Sequence, residues 1–490
     1  MPRQSDASVT NPAAGQLPPV GVGHDRDASP SHGSRRPRRP PRPFAVFAPA
    51  LGLLLAGYMF FDRSFAYLHV PGTPVFLGEI VLAIGVFEAF RARPPWRHLV
   101  ATSPLLKVLL GFMGICCIRF LINFPTYRLD AVRDSSLWYY GAFALLVAAA
   151  AFCDRSFVHR LVGWYWRVLP WFLLWAPMAV VLAQWEALSS IKVPDSDTPI
   201  NAFKTGDLQM HVAVAIAFMW LGAGRFAGAS RGRHWEALLG VIGMLTLLMA
   251  GSQNRGGLLA SVAVLAIALA YLPSGRRRLV VLSTIVGLVV AIALVLLLDL
   301  RLKGARRDVS LQQVAANVKS VLGEEQGGDL SDTVEWRQQY WIQVFNDSLA
   351  PENALQGLGF GPLLPSRYEV PVQADDTQPL RNAHNSHLTL LARAGVPALV
   401  LWVLLWLTWA ALLTRWIRRR PGGVRDPGAA VAVWLLAAVP AFLINSFFDP
   451  VLEGPQGGIW LFAVVGLGAA HLRDGRPAHP PDALPPAWLR

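Results

Sequence analysis

This sequence is short of charge. Asp, Glu, Lys and Arg make up 15% of 490 residues against 53% hydrophobic ones, where a soluble domain carries about 25% charged residues. That balance excludes an ordinary soluble globular protein and points to an integral membrane protein. Cysteine is also scarce. Cys116, Cys117 and Cys153 lie in or beside apolar runs, build no disulfide framework and lack metal-ligand spacing, so they are expected as small core residues. Acidic residues are outnumbered 31 to 44, giving a formal charge of +13. The excess is confined to loops between apolar runs, which orientation in a membrane explains. No nucleic-acid-binding motif accompanies it, and nucleic acid is not expected as a partner.

Long apolar runs are what the chain has in abundance. A spanning helix needs about 20 mostly apolar residues, and candidates lie near 44–61, 75–90, 105–123, 139–152, 168–185, 208–224, 236–253, 257–272, 279–298, 388–413, 429–448 and 459–471. Arginines collect in alternate gaps: Arg91, Arg93 and Arg97; Arg155, Arg160 and Arg167; Arg225, Arg231 and Arg233; Arg276, Arg277 and Arg278; Arg415, Arg418, Arg419 and Arg420. This alternation marks those gaps as cytoplasmic. Residues 1–43, rich in Pro, Gly, Ser and Arg, are expected as a disordered basic cytoplasmic tail, too long in its charged part for a signal peptide. The expected fold is therefore an all-α, multi-pass plasma-membrane protein. It has about twelve transmembrane helices: nine over 44–298, three over 388–471 and a cytoplasmic tail over 472–490. Residues 299–387 form a large, partly helical extracytoplasmic loop between the ninth and tenth.

The stretch 236–272 has no long polar break. As one helix it would run to roughly 55 Å, beyond a 30 Å hydrocarbon core, so it must turn. The turn is placed at Gly251-Ser-Gln-Asn-Arg255-Gly-Gly257, on the face of the large loop. Within that loop, Leu311, Val314, Val318, Val321 and Leu322 recur at helical spacing. Asp332 with Glu335 is expected to cap a second helix through Phe345, in which Arg337 shares a face with Tyr340, Trp341 and Val344. Gly357-Leu-Gly359-Phe-Gly361-Pro362 lacks the parallel-sheet context of a dinucleotide site and reads as a turn with close backbone packing.

Few groups on that face have the chemistry for a reaction. His384, where the loop re-enters the membrane, is the best general base, since imidazole titrates near neutral pH. His387 would share a helical face with it if the helix begins early. No carboxylate or cysteine stands at ligand spacing, so no metal is expected. Arg255 and Arg337 carry the rigid, permanently charged fork suited to phosphate, or else reach for lipid headgroups. Gly256 and Gly257 favour the first reading for Arg255, because they let a ligand or another chain come close. Asp449 and Glu453 stand ready to orient an acceptor or are simply solvated, and the solvated reading is preferred. Arg119 and Arg393 lie within apolar segments, near enough to an end to snorkel outward.

Together, the Ser-Gln-Asn-Arg255-Gly-Gly turn, Arg337, the Gly357–Gly361 turn and His384-Asn385-x-x-Leu388 followed by Gly395 resemble the O-antigen ligase and polysaccharide polymerase family. The family often has a second glycine three residues after the first, where this chain has Ala398. The resemblance implies a metal-independent, inverting glycosyltransferase without a cofactor. It would take a glycan from an undecaprenyl-pyrophosphate carrier to a hydroxyl of a glycan, lipid or protein acceptor. It further implies His384 as the base, Arg255 and Arg337 on the pyrophosphate, and Asn385 and His387 at the substrate. The competing expectations are a multi-pass transporter and a non-catalytic component of a surface-polysaccharide pathway. Transporters place ionisable residues near the bilayer midplane, whereas the polar groups here gather at one face.

Overall fold

The computed structural model describes residues 43–228, 232–297, 310–321, 329–368 and 381–474. The expectations for residues 1–42, for Leu322 and for residues 475–490 lie outside them. The described residues form helices and no strand. In chain order the principal helices are α1 (Phe47–Ala66), α2 (Leu77–Ala92), α3 (Pro104–Tyr127), α4 (Gly141–Cys153), α5 (Ser156–Leu182), α6 (Thr205–Leu221) and α7 (Arg233–Gly251). They continue with α8 (Arg255–Tyr271), α9 (Ser274–Leu297), α10 (Leu311–Val321), α11 (Asp329–Leu349), α12 (Ser386–Arg418), α13 (Pro427–Phe448) and α14 (Pro455–Asp474). Each of the twelve apolar segments contains a helix. Among the described residues, seven spans are long and apolar enough to cross a membrane: Pro104–Tyr127, Ser136–Cys153, Ser156–Leu182, His234–Gly251, Ser386–Arg418, Pro427–Phe448 and Pro455–Arg473.

Helix ends follow local chemistry. Ser103 caps α3 ahead of Pro104, and Asp426 caps α13 ahead of Pro427, each side chain accepting a first-turn N–H while proline fills a position that needs no donor. The turn at 251–257 is present: α7 stops at Gly251, and Asn254 opens α8 by accepting Gly257 N–H at 2.7 Å. Two expected boundaries shift. Helix α5 begins at Ser156, so Arg160 and Arg167 lie inside it rather than in a gap, with Arg160 2.8 Å from Asp154. Helix α11 is already formed at Asp329, so Asp332 sits within it and does not cap it.

Helix α6 is buried on nearly every face, including the polar Asp207, Gln209 and His211 of its first half. Helices α8 and α13 pack against it and each other. Contact is closest at the Gly256–Gly257 pair. A Cβ on Gly257 would lie 2.7 Å from the Gly206 Cα, and one on Gly256 would lie 2.9 Å from Phe448. Those glycines thus admit neighbouring helices, which draws the start of α8 to the start of α6 and the end of α13. Cys116 is buried, while Cys117 and Cys153 are half-buried; all three are free thiols.

Helix α12 breaks near its start. Gly395 has φ 76°, and a Cβ there would meet the Ala354 carbonyl oxygen at 2.8 Å. The break frees the Ala392 and Arg393 carbonyls, which accept N–H from Leu358 at 2.6 Å and Gly359 at 3.1 Å, while Val396 N–H donates to Ala354 O at 2.7 Å. The 357–361 turn is therefore the close backbone packing expected of it, seated in the notch of a broken helix. Ala398 is fully buried.

Candidate functional site

His384 stands just ahead of α12 with φ 50°, a left-handed conformation that a bulky residue holds only when its surroundings fix it. Helix α11 and α12 supply the fixing. Trp341 Nε1–H donates to Ala383 O at 2.7 Å and Tyr340 O–H to Asn382 O at 3.3 Å. Ala383 N–H donates to Thr389 Oγ1 at 3.2 Å and His384 N–H to Asn382 Oδ1 at 3.0 Å. The Trp336 ring meets the imidazole edge to face at 6.3 Å. Tyr340 and Val344, on the expected face of α11, are buried against Leu364, Ala383 and Ala392.

Asn385 is the N-cap of α12: its Oδ1 accepts His387 N–H at 3.0 Å and Leu388 N–H at 3.1 Å. The helix starts at Ser386, so His387 does not share a helical face with His384, correcting the early-start expectation. His387 turns inward. Its Nδ1 accepts from Trp402 Nε1–H at 3.0 Å, which leaves Nε2–H to donate to Leu443 O at 2.9 Å and ties α12 to α13. Both side chains are thus committed to holding the turn that carries His384.

Arg337 reaches from α11 to the end of α13, where Nη1–H donates to Phe448 O at 3.2 Å. Phe448 is the residue on which Gly256 packs, so the backbone beside Arg255 and the guanidinium of Arg337 meet at one helix end. The next residue, Asp449, is ion-paired with Lys204, and its side chain is 20% exposed. The solvated reading of Asp449 is therefore corrected: a lysine ahead of α6 claims the carboxylate. Lys204 N–H in turn donates to Asp62 Oδ2 at 2.6 Å, and Asn445 Nδ2–H donates to Asp207 Oδ1 at 2.6 Å. Asp62 sits at a kink in α1 with φ 46°. Glu453 is not solvated either. Its carboxyl meets Thr389 and Asn382 and lies near Arg393, and burial pushes it up to about 7 against those partners.

These groups share one electrostatic field. Burial pushes the His384 imidazole down to about 4; Asp449 opposes the shift, and Arg337, Lys204 and Arg63 reinforce it. Burial would raise the Asp449 carboxyl, but Lys204, Arg63 and His384 outweigh it and hold it below the usual range. The result at neutral pH is an uncharged imidazole beside an ionised carboxylate and a set of cations. Such a site accepts a proton at Nδ1 or Nε2 while attracting an anion. Arg63, Lys204, Asp62 and Asp207 were not singled out from the sequence. Their signal was there: each lies at the edge of an apolar segment, on the same face as the 251–257 turn by the alternation of loop charge.

Arg393 departs from expectation most. It is 1% exposed and does not snorkel. Its guanidinium pairs with Asp134 at 2.8 Å and donates to the carbonyls of Pro362 at 2.6 Å, Arg381 at 2.9 Å and Gly359 at 3.2 Å. Arg381 also lies 3.0 Å from Asp130 and 3.4 Å from Asp134. One buried cation thus joins the glycine turn, the segment leading to His384 and the short helix Leu129–Asp134.

Fold and site together define a multi-pass helical membrane protein with a charged site, built around a histidine, where alternate helices end. The Wzy_C family, described as O-Antigen ligase, matches residues 238–403, about a third of the chain and the family that the motifs resemble. The match runs from α7 into α12 and includes Arg255, Arg337, the 357–361 turn and His384. It points to a membrane protein of O-antigen ligase or polymerase type, acting in surface-polysaccharide synthesis on a lipid-linked glycan and an acceptor. No curated protein matches the chain.

Proposed function

We propose that the protein is a metal-independent, inverting glycosyltransferase that moves a glycan from an undecaprenyl-pyrophosphate carrier to an acceptor hydroxyl. The twelve apolar helices cross the membrane with both termini cytoplasmic, and the His384 site opens on the extracytoplasmic face. The observation that carries this reading is the convergence of charged groups on the helix ends beside His384, where Arg337 reaches Phe448 O and Lys204 pairs with Asp449, both acting on the imidazole together with Arg63. Ion pairs at helix ends, rather than midway along helices, support a site at a membrane face over a transport path.

Arg337 and Arg255 hold the pyrophosphate and stabilise its charge as it leaves. His384 takes the proton from the acceptor oxygen, which attacks the anomeric carbon opposite the leaving group. The carbon–oxygen bond to pyrophosphate breaks, its electron pair leaves with the phosphate, and the configuration inverts. Pyrophosphate is a good leaving group, so position and electrostatics are the protein's main contribution. Asn385 and His387 hold the turn that presents His384 to these substrates. The decisive assay is transfer of label from carrier lipid to acceptor by the purified protein; counterflow of a solute in vesicles without carrier lipid would favour transport instead.

Two results are expected. Arg337→Ala should raise the KM for the pyrophosphate donor about ten- to a hundredfold, the value of one or two charge-assisted hydrogen bonds; unchanged donor dependence would return Arg337 to an interfacial role. The pH dependence has a definite sign. A base whose pKa is lowered to about 4 is competent above that value and lost below it. The imidazole resonances of His384 in the donor-free protein should therefore titrate near pH 4, and a midpoint near 6.5 would contradict the burial described above.

A further inference from the structure

The two ends of α6 carry different chemistry. Its first turn holds Asp207 beside Asn445, within the His384 site. Its last residue, Leu221, and the adjoining Gly222 face a cluster of arginines. The helix is seventeen residues long, about 25 Å at 1.5 Å per residue, close to the ~30 Å of a hydrocarbon core. The second cluster thus lies at the opposite membrane surface.

A cavity of about 190 Å³ opens there, lined by Arg225, Arg276 and Arg425 with Pro273, Gly275 and Val424. The arginines come from three stretches: the turn after α6, the first turn of α9 and the turn between α12 and α13. Arg225 is pinned in place, with Nε–H donating to Gly222 O at 3.1 Å and Nη2–H to Val424 O at 3.1 Å and Leu221 O at 3.3 Å. Arg276 Nη2–H donates to Met219 O at 3.5 Å. A Cβ on Gly222 would meet Arg225 Nε at 2.9 Å and Arg276 Nη1 at 3.2 Å, so two guanidiniums crowd a single point. Among the described residues none of the three arginines is within ion-pairing distance of a carboxylate, and the Glu236 carboxylate acts on Arg276 only from farther off.

Capping of α6 explains the bonds from Arg225 to Leu221 and Gly222. It does not explain the bond across to Val424, or why two further arginines line the same space. Like charges held together by carbonyls, with a cavity between them, suit an anion with several oxygens, and guanidinium matches phosphate in both charge and geometry. At a membrane surface such an anion is at hand in the lipid itself. We propose that this cavity binds the phosphate of an anionic phospholipid headgroup, with Arg225, Arg276 and Arg425 as its donors. The site is separate from the His384 site, and the proposal holds whatever reaction that site performs.

The test is thermal unfolding of the full-length protein in a neutral detergent, titrated with phosphatidylglycerol, phosphatidylcholine or inorganic phosphate. Phosphatidylglycerol should raise the midpoint and phosphatidylcholine should not. In R225Q/R276Q the apparent affinity for phosphatidylglycerol should fall at least about tenfold, while R91Q/R97Q, which loses the same charge elsewhere, should respond as the wild type does. Equal responses to the two lipids, or an equal loss in R91Q/R97Q, overturn the site. A response to inorganic phosphate as strong as that to phosphatidylglycerol overturns the headgroup in favour of free phosphate. If R225Q/R276Q fails to fold, the exposed Arg425 carries the test through R425Q: an affinity weakened several-fold supports the site, and an unchanged one overturns it.

Discussion

Replacing His384 by alanine should lower glycan transfer by about 10²–10⁴-fold, the usual contribution of a general base, while leaving the protein inserted and folded. The backbone clamps on the turn, from Trp341, Tyr340, Thr389 and Asn382, do not use the imidazole. Alanine is disfavoured in the left-handed conformation at this position, so His384→Asn is the cleaner variant, since asparagine tolerates it. Loss of transfer in both variants isolates the missing base from any backbone effect; transfer at the wild-type rate in either would remove His384 from the mechanism. A pKa near 4 is low for a base working at neutral pH. Part of that depression comes from Arg337, Lys204 and Arg63, the charges that a bound pyrophosphate would neutralise. Donor binding should therefore raise the His384 pKa, bringing the base towards its working range only when there is a glycan to transfer. The imidazole resonances, followed with and without carrier lipid, would show this directly.

The helices were legible because apolar length and loop charge are local properties, and the 251–257 turn was legible because a helix of that length does not fit a membrane. The glycine turn at 357–361 could be recognised as close packing, though not what it packs on, because the notch at Gly395 is hidden inside a continuous apolar run. The charged groups were harder to read. Asp449 was expected in solvent because its partner, Lys204, lies far away in sequence, ahead of a different helix. Arg63 and Lys204 drew no reading at all for the same reason. An isolated charge at a segment end says nothing about its neighbours until the order in which helices pack is known. The Gly256–Gly257 pair was read as making room for a ligand, or another chain, near Arg255. The room is taken by α6 and α13, and that packing brings Lys204 and Asp449 into the site.

Arg393→Ala should destabilise the protein by about 3–5 kcal/mol, the cost of breaking a buried ion pair by removing one partner. Four acceptors depend on this guanidinium: the Asp134 carboxylate and the carbonyls of Gly359, Pro362 and Arg381. Asp134 would keep the Gly361 N–H at 2.9 Å and the longer contact to Arg381 at 3.4 Å, neither of which replaces the buried charge pair. Arg393→Lys should recover part of the loss, since an ammonium restores the charge but cannot span acceptors spread as widely as these. Arg119 provides the contrast. It lies half-buried on α3 and has no comparable set of partners among the described residues, so Arg119→Leu should shift the unfolding midpoint little. The effect of Arg393→Ala should also be local: hydrogen exchange should quicken in residues 357–368 and 381–385 while the start of α8 stays protected. Because Arg381 is three residues from His384, transfer should fall together with that protection, and Arg393→Lys should restore both in proportion. Wild-type melting and exchange in Arg393→Ala would mean that the guanidinium reaches solvent after all, and that the turn carrying His384 is held by α11 alone.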